Sequence, residues 1–229
     1  MEERLRTFAA FEIGADQKEE IGRYAAQMRA RPSGSDLRWV RPENLHMTVR
    51  FFGGLDRKQL AKARKAISGL DGNWDKLNLR LGKLGAFPSM RRPQVLWLGI
   101  EDPDRRLVDL AAEVDRAIRM VGFGPADKEF IGHLTLARVG KRRRAPDMEQ
   151  LTAGLTLPEC DLTISAITLF WSDLQREGPR YTPLEIAHPR SGSVSAGPGR
   201  SADGSSSPPR TRRTGQDPEN RKEGEASNG

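Results

Sequence analysis

Cysteine is nearly absent from this chain. Cys160 is the only one in 229 residues, which excludes a disulfide framework and a cysteine-based zinc site. Histidine is almost as scarce, with three copies. None belongs to a His-Glu-x-x-His helix, so metal chemistry lacks obvious ligands and no metal or cofactor is expected. A P-loop and a Gly-x-Ser-x-Gly elbow are also missing, which removes P-loop nucleotide hydrolysis and a serine nucleophile of that kind. Gly53-Gly54 and the pair Gly122 and Gly124 read as turns. No apolar run approaches the roughly 18 residues of a membrane span. The opening stretch MEERLRTFAAFEIG has no apolar core followed by a small-residue cleavage site, so it is expected to be a first strand rather than a signal peptide. A reducing, cytoplasmic setting without membrane contact is the expectation.

Basic residues are plentiful, with a net charge of +7 and a pI near 9.9. That balance suits a polyanionic partner without establishing one. Composition breaks after His188. Residues 189–229 are dominated by Ser, Gly, Pro and Arg, with one Val as the only large apolar residue. Such a segment buries too little apolar surface to offset its ordering entropy, so a disordered tail is expected there and a folded domain over 1–188.

Within 1–188 the periodicity predicts strands over 5–13, 44–52, 77–84, 95–100, 131–139, 162–170 and 181–186. It predicts helices over about 17–31, 56–68 and 104–120, and a short one after the basic run 141–144. Alternating strands with short connections point to antiparallel sheets with helices on one face, an α+β layout in two similar halves.

Two of the three histidines are followed two positions later by threonine: His46-Met47-Thr48-Val49 and His133-Leu134-Thr135-Leu136, 87 residues apart. Threonine accounts for ten residues in all, so a double match is hard to assign to chance. In a strand, positions i and i+2 share a face. Each motif therefore aims an imidazole and a hydroxyl one way and apolar side chains into a core. Two histidines can divide acid–base work near pH 7, and a hydroxyl beside each can bond a bound oxyanion. Arg138 offers a permanent charge and a fork suited to phosphate. Its odd offset from His133 puts it on the opposite face of a regular strand, so only a twist or bulge would bring it to the site.

These motifs, with RTFAAFEI at the start, ENLHMTVRFFG, VLWLGI, KEFIGHLTLAR and SDLQREGPRYTPL, resemble the two-histidine (2H) phosphoesterases. More narrowly, they resemble the RNA 2′,3′-cyclic phosphodiesterases historically called 2′-5′ RNA ligases. The resemblance covers about residues 4–186. It implies a bilobal α+β fold with two pseudo-symmetric antiparallel sheets, each flanked by helices, and a catalytic groove between them. It implies metal-free opening of RNA 2′,3′-cyclic phosphate ends, tRNA fragments among them, to 2′-phosphomonoesters by a monomer. The same site run backwards would perform 2′-5′ ligation. Carried over, His46 is the proton donor, His133 the proton acceptor, and Thr48 and Thr135 bind the substrate together with Arg138. Two departures, Phe52 for the usual Leu and Gly132 for a frequent Pro, bear on substrate fit.

Other readings keep the site but change its use: a phosphodiesterase on small cyclic nucleotides or 2′-5′ oligonucleotides, or an RNA-binding module without turnover. Arg41, Arg50, Arg91, Arg92 and Arg142 to Arg144 are further candidates for gripping RNA. Trp39, Trp97 and Trp171 read as core or strand packing.

Overall fold

The computed structural model describes residues 4–35, 37–140, 146–176 and 178–192, all within one compact unit. In chain order the elements are β1 (Leu5–Ile13), α1 (Ala15–Arg29), β2 (Leu37–Trp39), β3 (Met47–Leu55), α2 (Arg57–Ser68), β4 (Asn78–Phe87), β5 (Val95–Glu101), α3 (Arg106–Met120), β6 (His133–Val139), α4 (Met148–Thr152), β7 (Asp161–Gln175) and β8 (Gly178–Ala187). Every strand pairing among the described residues is antiparallel.

The helices start where side chains satisfy the free amides of the first turn. The Asp56 carboxylate accepts from the Gln59 amide at 2.8 Å while the Gln59 side chain accepts from the Asp56 amide at 3.1 Å. This reciprocal cap contributes about 1 kcal/mol to α2. At α3 the Asp102 carboxylate takes the amides of Leu107 and Val108. Apolar residues at helical spacing, Ile21, Tyr24, Ala25 and Met28 on α1 and Leu107, Leu110, Ala111, Val114 and Ile118 on α3, are buried. All of them but Ala25 belong to one cluster with Met47, Leu134 and Leu136 from the two histidine strands, so the sheets place their apolar faces on a shared core.

The strands form two sheets joined by β7. One has the order β8-β7-β1-β3 and the other β4-β5-β6-β2. Residues Asp161 to Thr163 of β7 pair with β4, and Ile164 to Trp171 pair with β1. The Gln17 side chain spans the junction. Its oxygen accepts from the Gly14 and Thr163 amides, and its nitrogen donates to the Asp161 carbonyl at 2.7 Å.

Four details differ from the sequence expectation. Residues Pro42–Asn44 form a 3-10 turn, so β3 begins at Met47, one residue after His46. Gly53-Gly54 lies within β3, where Gly53 at φ 74° sits beside a register shift. The three-residue β2 carries too little periodicity to be read in advance; it exists because it pairs with the edge of β6. The described chain also continues past His188: Arg190 donates its amide to the Trp74 carbonyl and its guanidinium to Asp75. The rest of the expected tail, 193–229, lies outside the described residues.

Candidate active site

The face of the first sheet away from the main core carries Thr48 of β3, Phe8 and Ala10 of β1, and Thr168 and Phe170 of β7. This follows from the pairs Ala10–Thr48, Ala10–Thr168 and Phe8–Phe170. The corresponding face of the second sheet carries His133 and Thr135 of β6, opposite Gly99 and Trp97 of β5.

Each imidazole is held in the same way. His46 Nδ1 lies 2.7 Å from the Asn44 carbonyl, and His133 Nδ1 lies 2.7 Å from the Ile131 carbonyl. A carbonyl only accepts, so Nδ1 carries the proton in both rings and donates it to the residue two positions back. Each Nε2 is left for chemistry. At His46 the Thr48 hydroxyl, 3.1 Å away, donates to Nε2 when the ring is neutral.

Both rings lean on aromatic side chains. Phe8 lies 4.9 Å from His46 between ring centroids, and Tyr181 meets it edge-on at 5.3 Å. Phe8, Ala10 and Phe170, with Tyr181 against them, form a small apolar cluster separate from the main core. On the other side Phe87 meets His133 edge-on at 5.2 Å, and Trp97 lies 6.1 Å away. Trp97 spreads over Gly85, where a Cβ would come within 2.3 Å of its ring. Only glycine fits there. Trp97 is thus both packing and part of the wall around His133, beyond what its sequence pattern indicated. The aromatic wall around His46 was missed from the sequence, although the alternation of β1 from Phe8 through Ala10 gave its face.

Burial lowers the His46 pKa to about 4, with the positive charges of Lys18, Arg138 and His133 adding to the effect. Burial and then Arg138 lower His133 as well. The two imidazoles and Arg138 therefore lie within electrostatic reach of one another. Tyr181, raised by burial, also feels Arg138 and Arg6.

Arg138 reaches this side through a β-bulge. Trp97 pairs with Thr135 and Leu96 with Ala137, so Leu136 has no opposite residue. Leu136 and Ala137 are both buried, and the alternation resumes with Arg138 exposed on the His133 side. The first half repeats the device: Ala10 pairs with Thr48 and Ala9 with Arg50, leaving Val49 unpaired. There the fifth residue after the histidine is Phe51, 58% exposed and 5.8 Å from Phe8.

A pocket of about 150 Å³ opens beside His46, lined by Glu12, Lys18, Asn44, Phe170 and Tyr181 among others. Lys18 lies 3.6 Å from Glu12 and donates to the Glu43 carbonyl at 3.3 Å. It thereby braces the turn whose Asn44 carbonyl orients His46. Among the described residues no group of three or more His, Cys, Asp and Glu side chains is placed to hold a metal ion. The Cys160 thiol is buried and its pKa is pushed up to about 12, chiefly by desolvation and then by Glu20, so it is no nucleophile.

Arg50 does not face the site and cannot grip RNA there, although its sequence position suggests it. It is buried, with its guanidinium 2.5 Å from Asp115 and bonded to the carbonyls of Gly124 and Pro125. The Val49 bulge and the pairing with Ala9 turn it toward the core. Arg41, Arg91 and Arg92 are exposed; Arg142 to Arg144 lie outside the described residues.

Two antiparallel sheets, each presenting a histidine and a threonine to a common space that also holds an arginine, define a two-histidine phosphoesterase. The chain belongs to the LigT-like phosphoesterase family, whose profile matches twice in tandem, over residues 12–97 and 98–181. Each match contains one His-x-Thr motif. An RNA 2′,3′-cyclic phosphodiesterase of Aeropyrum pernix is 32% identical over 164 residues, 71% of this chain and 92% of the relative. One from Methanothermobacter thermautotrophicus is 27% identical over 184 residues, 80% of this chain and 98% of the relative. The crystal structure of Escherichia coli LigT complexed with 3′-AMP superposes with a TM-score of 0.62 at 25% identity, covering 81% of this chain and 98% of that one. No helix among the described residues is long and apolar enough to cross a membrane.

Proposed function

We propose that this enzyme hydrolyses RNA 2′,3′-cyclic phosphate ends to 2′-phosphomonoesters by metal-independent acid–base catalysis. The observation that carries the reading is the matched pair of imidazoles, each with Nδ1 donating to a carbonyl two residues back, so that the opposite ring nitrogen, Nε2, is the one turned from the backbone, with Thr48 beside that of His46. The names of the relatives supply the substrate class.

In this reading His133 Nε2 takes a proton from water as the water attacks phosphorus. His46 Nε2 delivers a proton to the departing 3′ oxygen, leaving the phosphate on the 2′ oxygen. Thr48 and Thr135 donate hydrogen bonds to the non-bridging oxygens as their charge grows, and the Arg138 fork neutralises that charge. A donor with a pKa of about 4 would be neutral near pH 7. The substrate's own negative charge offsets Lys18, Arg138 and His133, lifting His46 toward the protonated form it needs. Phe51, exposed at the place that Arg138 holds in the other half, offers a flat surface for the terminal base. Reversal of the same steps, with a 5′-hydroxyl in place of water, would join ends through a 2′-5′ linkage.

The test is incubation of the full chain with an oligoribonucleotide ending in a 2′,3′-cyclic phosphate, in excess chelator. A 2′-phosphate product is expected, with His46→Ala and His133→Ala each at least about 10²-fold slower. A 3′-phosphate product, or loss of turnover with chelator, would overturn the mechanism.

A further inference from the structure

The His133 face of the second sheet continues past Arg138 to the edge strand β2. Arg38 of β2 stands directly opposite Arg138 in the antiparallel register, with Leu37 opposite Val139 and Trp39 opposite Ala137. Leu37 is buried and Trp39 half-buried, its indole N–H donating to the Gly34 carbonyl at 2.9 Å. Alternation along β2 therefore turns Arg38 away from the core, to the side that Arg138 occupies. Both arginines are exposed.

Residues directly opposite in an antiparallel pair hold their Cβ atoms about 4.5–5.5 Å apart, and like charges there repel. Arginine stays protonated at any working pH, so proton loss cannot relieve the repulsion. Arg50, Arg64, Arg80, Arg119 and Arg190 each face a carboxylate. Neither Arg38 nor Arg138 has an acidic partner among the described residues. Among the described residues no carboxylate neutralises either guanidinium, and the two stand opposite each other on adjacent strands, an arrangement that an anion between them stabilises.

We propose that Arg38 forms, beside Arg138, a subsite for a second phosphate: the internucleotide phosphodiester next to the reacting one. This rests on the RNA-end reading above and deepens it, because a substrate with one phosphate leaves Arg38 unused. The preferred substrate is then an oligonucleotide end rather than a free cyclic mononucleotide. Arg138 meets the reacting phosphate, and the neighbouring fork of Arg38 holds the chain that leads to it.

Binding of products tests this without relying on turnover. The full chain is titrated with adenosine 2′-monophosphate and with a dinucleotide that ends in a 2′-phosphate. Wild type should bind the dinucleotide more tightly. Arg38→Gln should weaken dinucleotide binding about 10-fold, change mononucleotide affinity less than about twofold, and lower the slope of log affinity against log salt by about 0.7, the contribution of one single-strand phosphate. Arg38→Lys should recover part of the loss. Equal weakening on both ligands, or no change on either, overturns the proposal. Failure of the wild type to open any cyclic end overturns the proposed function alone, since the Arg38-dependent preference would still be read from binding.

Discussion

Val49 and Leu136 occupy matching places: each is the unpaired residue of a β-bulge three positions after a His-x-Thr histidine. The extra residue shifts the side-chain alternation by one. It returns the fifth residue after each histidine, Phe51 or Arg138, to the face that carries the imidazole. The two halves thus share a backbone device and differ in the chemistry it presents, an aromatic ring on one side and a cation on the other.

Arg138→Gln should lower kcat/KM for a cyclic-phosphate end by about 10²–10³-fold, the range for losing one donor that meets transition-state charge. Arg138→Lys should recover little, because a point charge cannot replace the fork. Steady-state kinetics on the two variants checks this, and equal activity of Gln and wild type would remove Arg138 from the mechanism.

Phe51→Ala should act on binding. Loss of a stacking surface costs about 1–3 kcal/mol per base, to be read as a rise in KM with a smaller change in kcat. Phe51→Tyr should behave like wild type. A variant that loses kcat alone would place Phe51 with the reacting atoms instead.

The pH profiles of kcat/KM and kcat should differ in a defined direction. In the free enzyme, burial and neighbouring cations hold His46 near 4 and His133 below its usual range. A bound phosphate anion raises both, so the limb of the proton donor should lie at higher pH in kcat than in kcat/KM. Lys18→Met removes one cation near His46 and unpairs Glu12, which should move the His46 limb upward in both profiles. Coincident limbs for free and bound enzyme would contradict this account.

Arg50→Met should destabilise the fold by roughly 1–3 kcal/mol, because it leaves the Gly124 and Pro125 carbonyls without their donor and takes one of two cations from Asp115, which keeps Arg119. Urea unfolding measures the loss. Oligonucleotide affinity per folded molecule should stay at the wild-type level, since the side chain points away from the groove.

Much of this was legible in the chain. Leu5 to Ile13 reads as a strand and is one, and the helix faces of α1 and α3 follow from the spacing of Ile21 to Met28 and Leu107 to Ile118. The pairing of His46 with Thr48 and of His133 with Thr135 needs only the period of two. What could not be read depends on register between strands. Arg138 looks misplaced until Leu136 is known to lack a partner, and Arg50 looks available until the Val49 bulge turns it inward. Arg38 has no signal of its own, because its meaning comes from the residue opposite.

Strand β7 bonds to both sheets without interruption, and the halves share one core. It works as an axle: a change in the twist of β7 would turn the sheet that carries Thr48 against the sheet that carries His133.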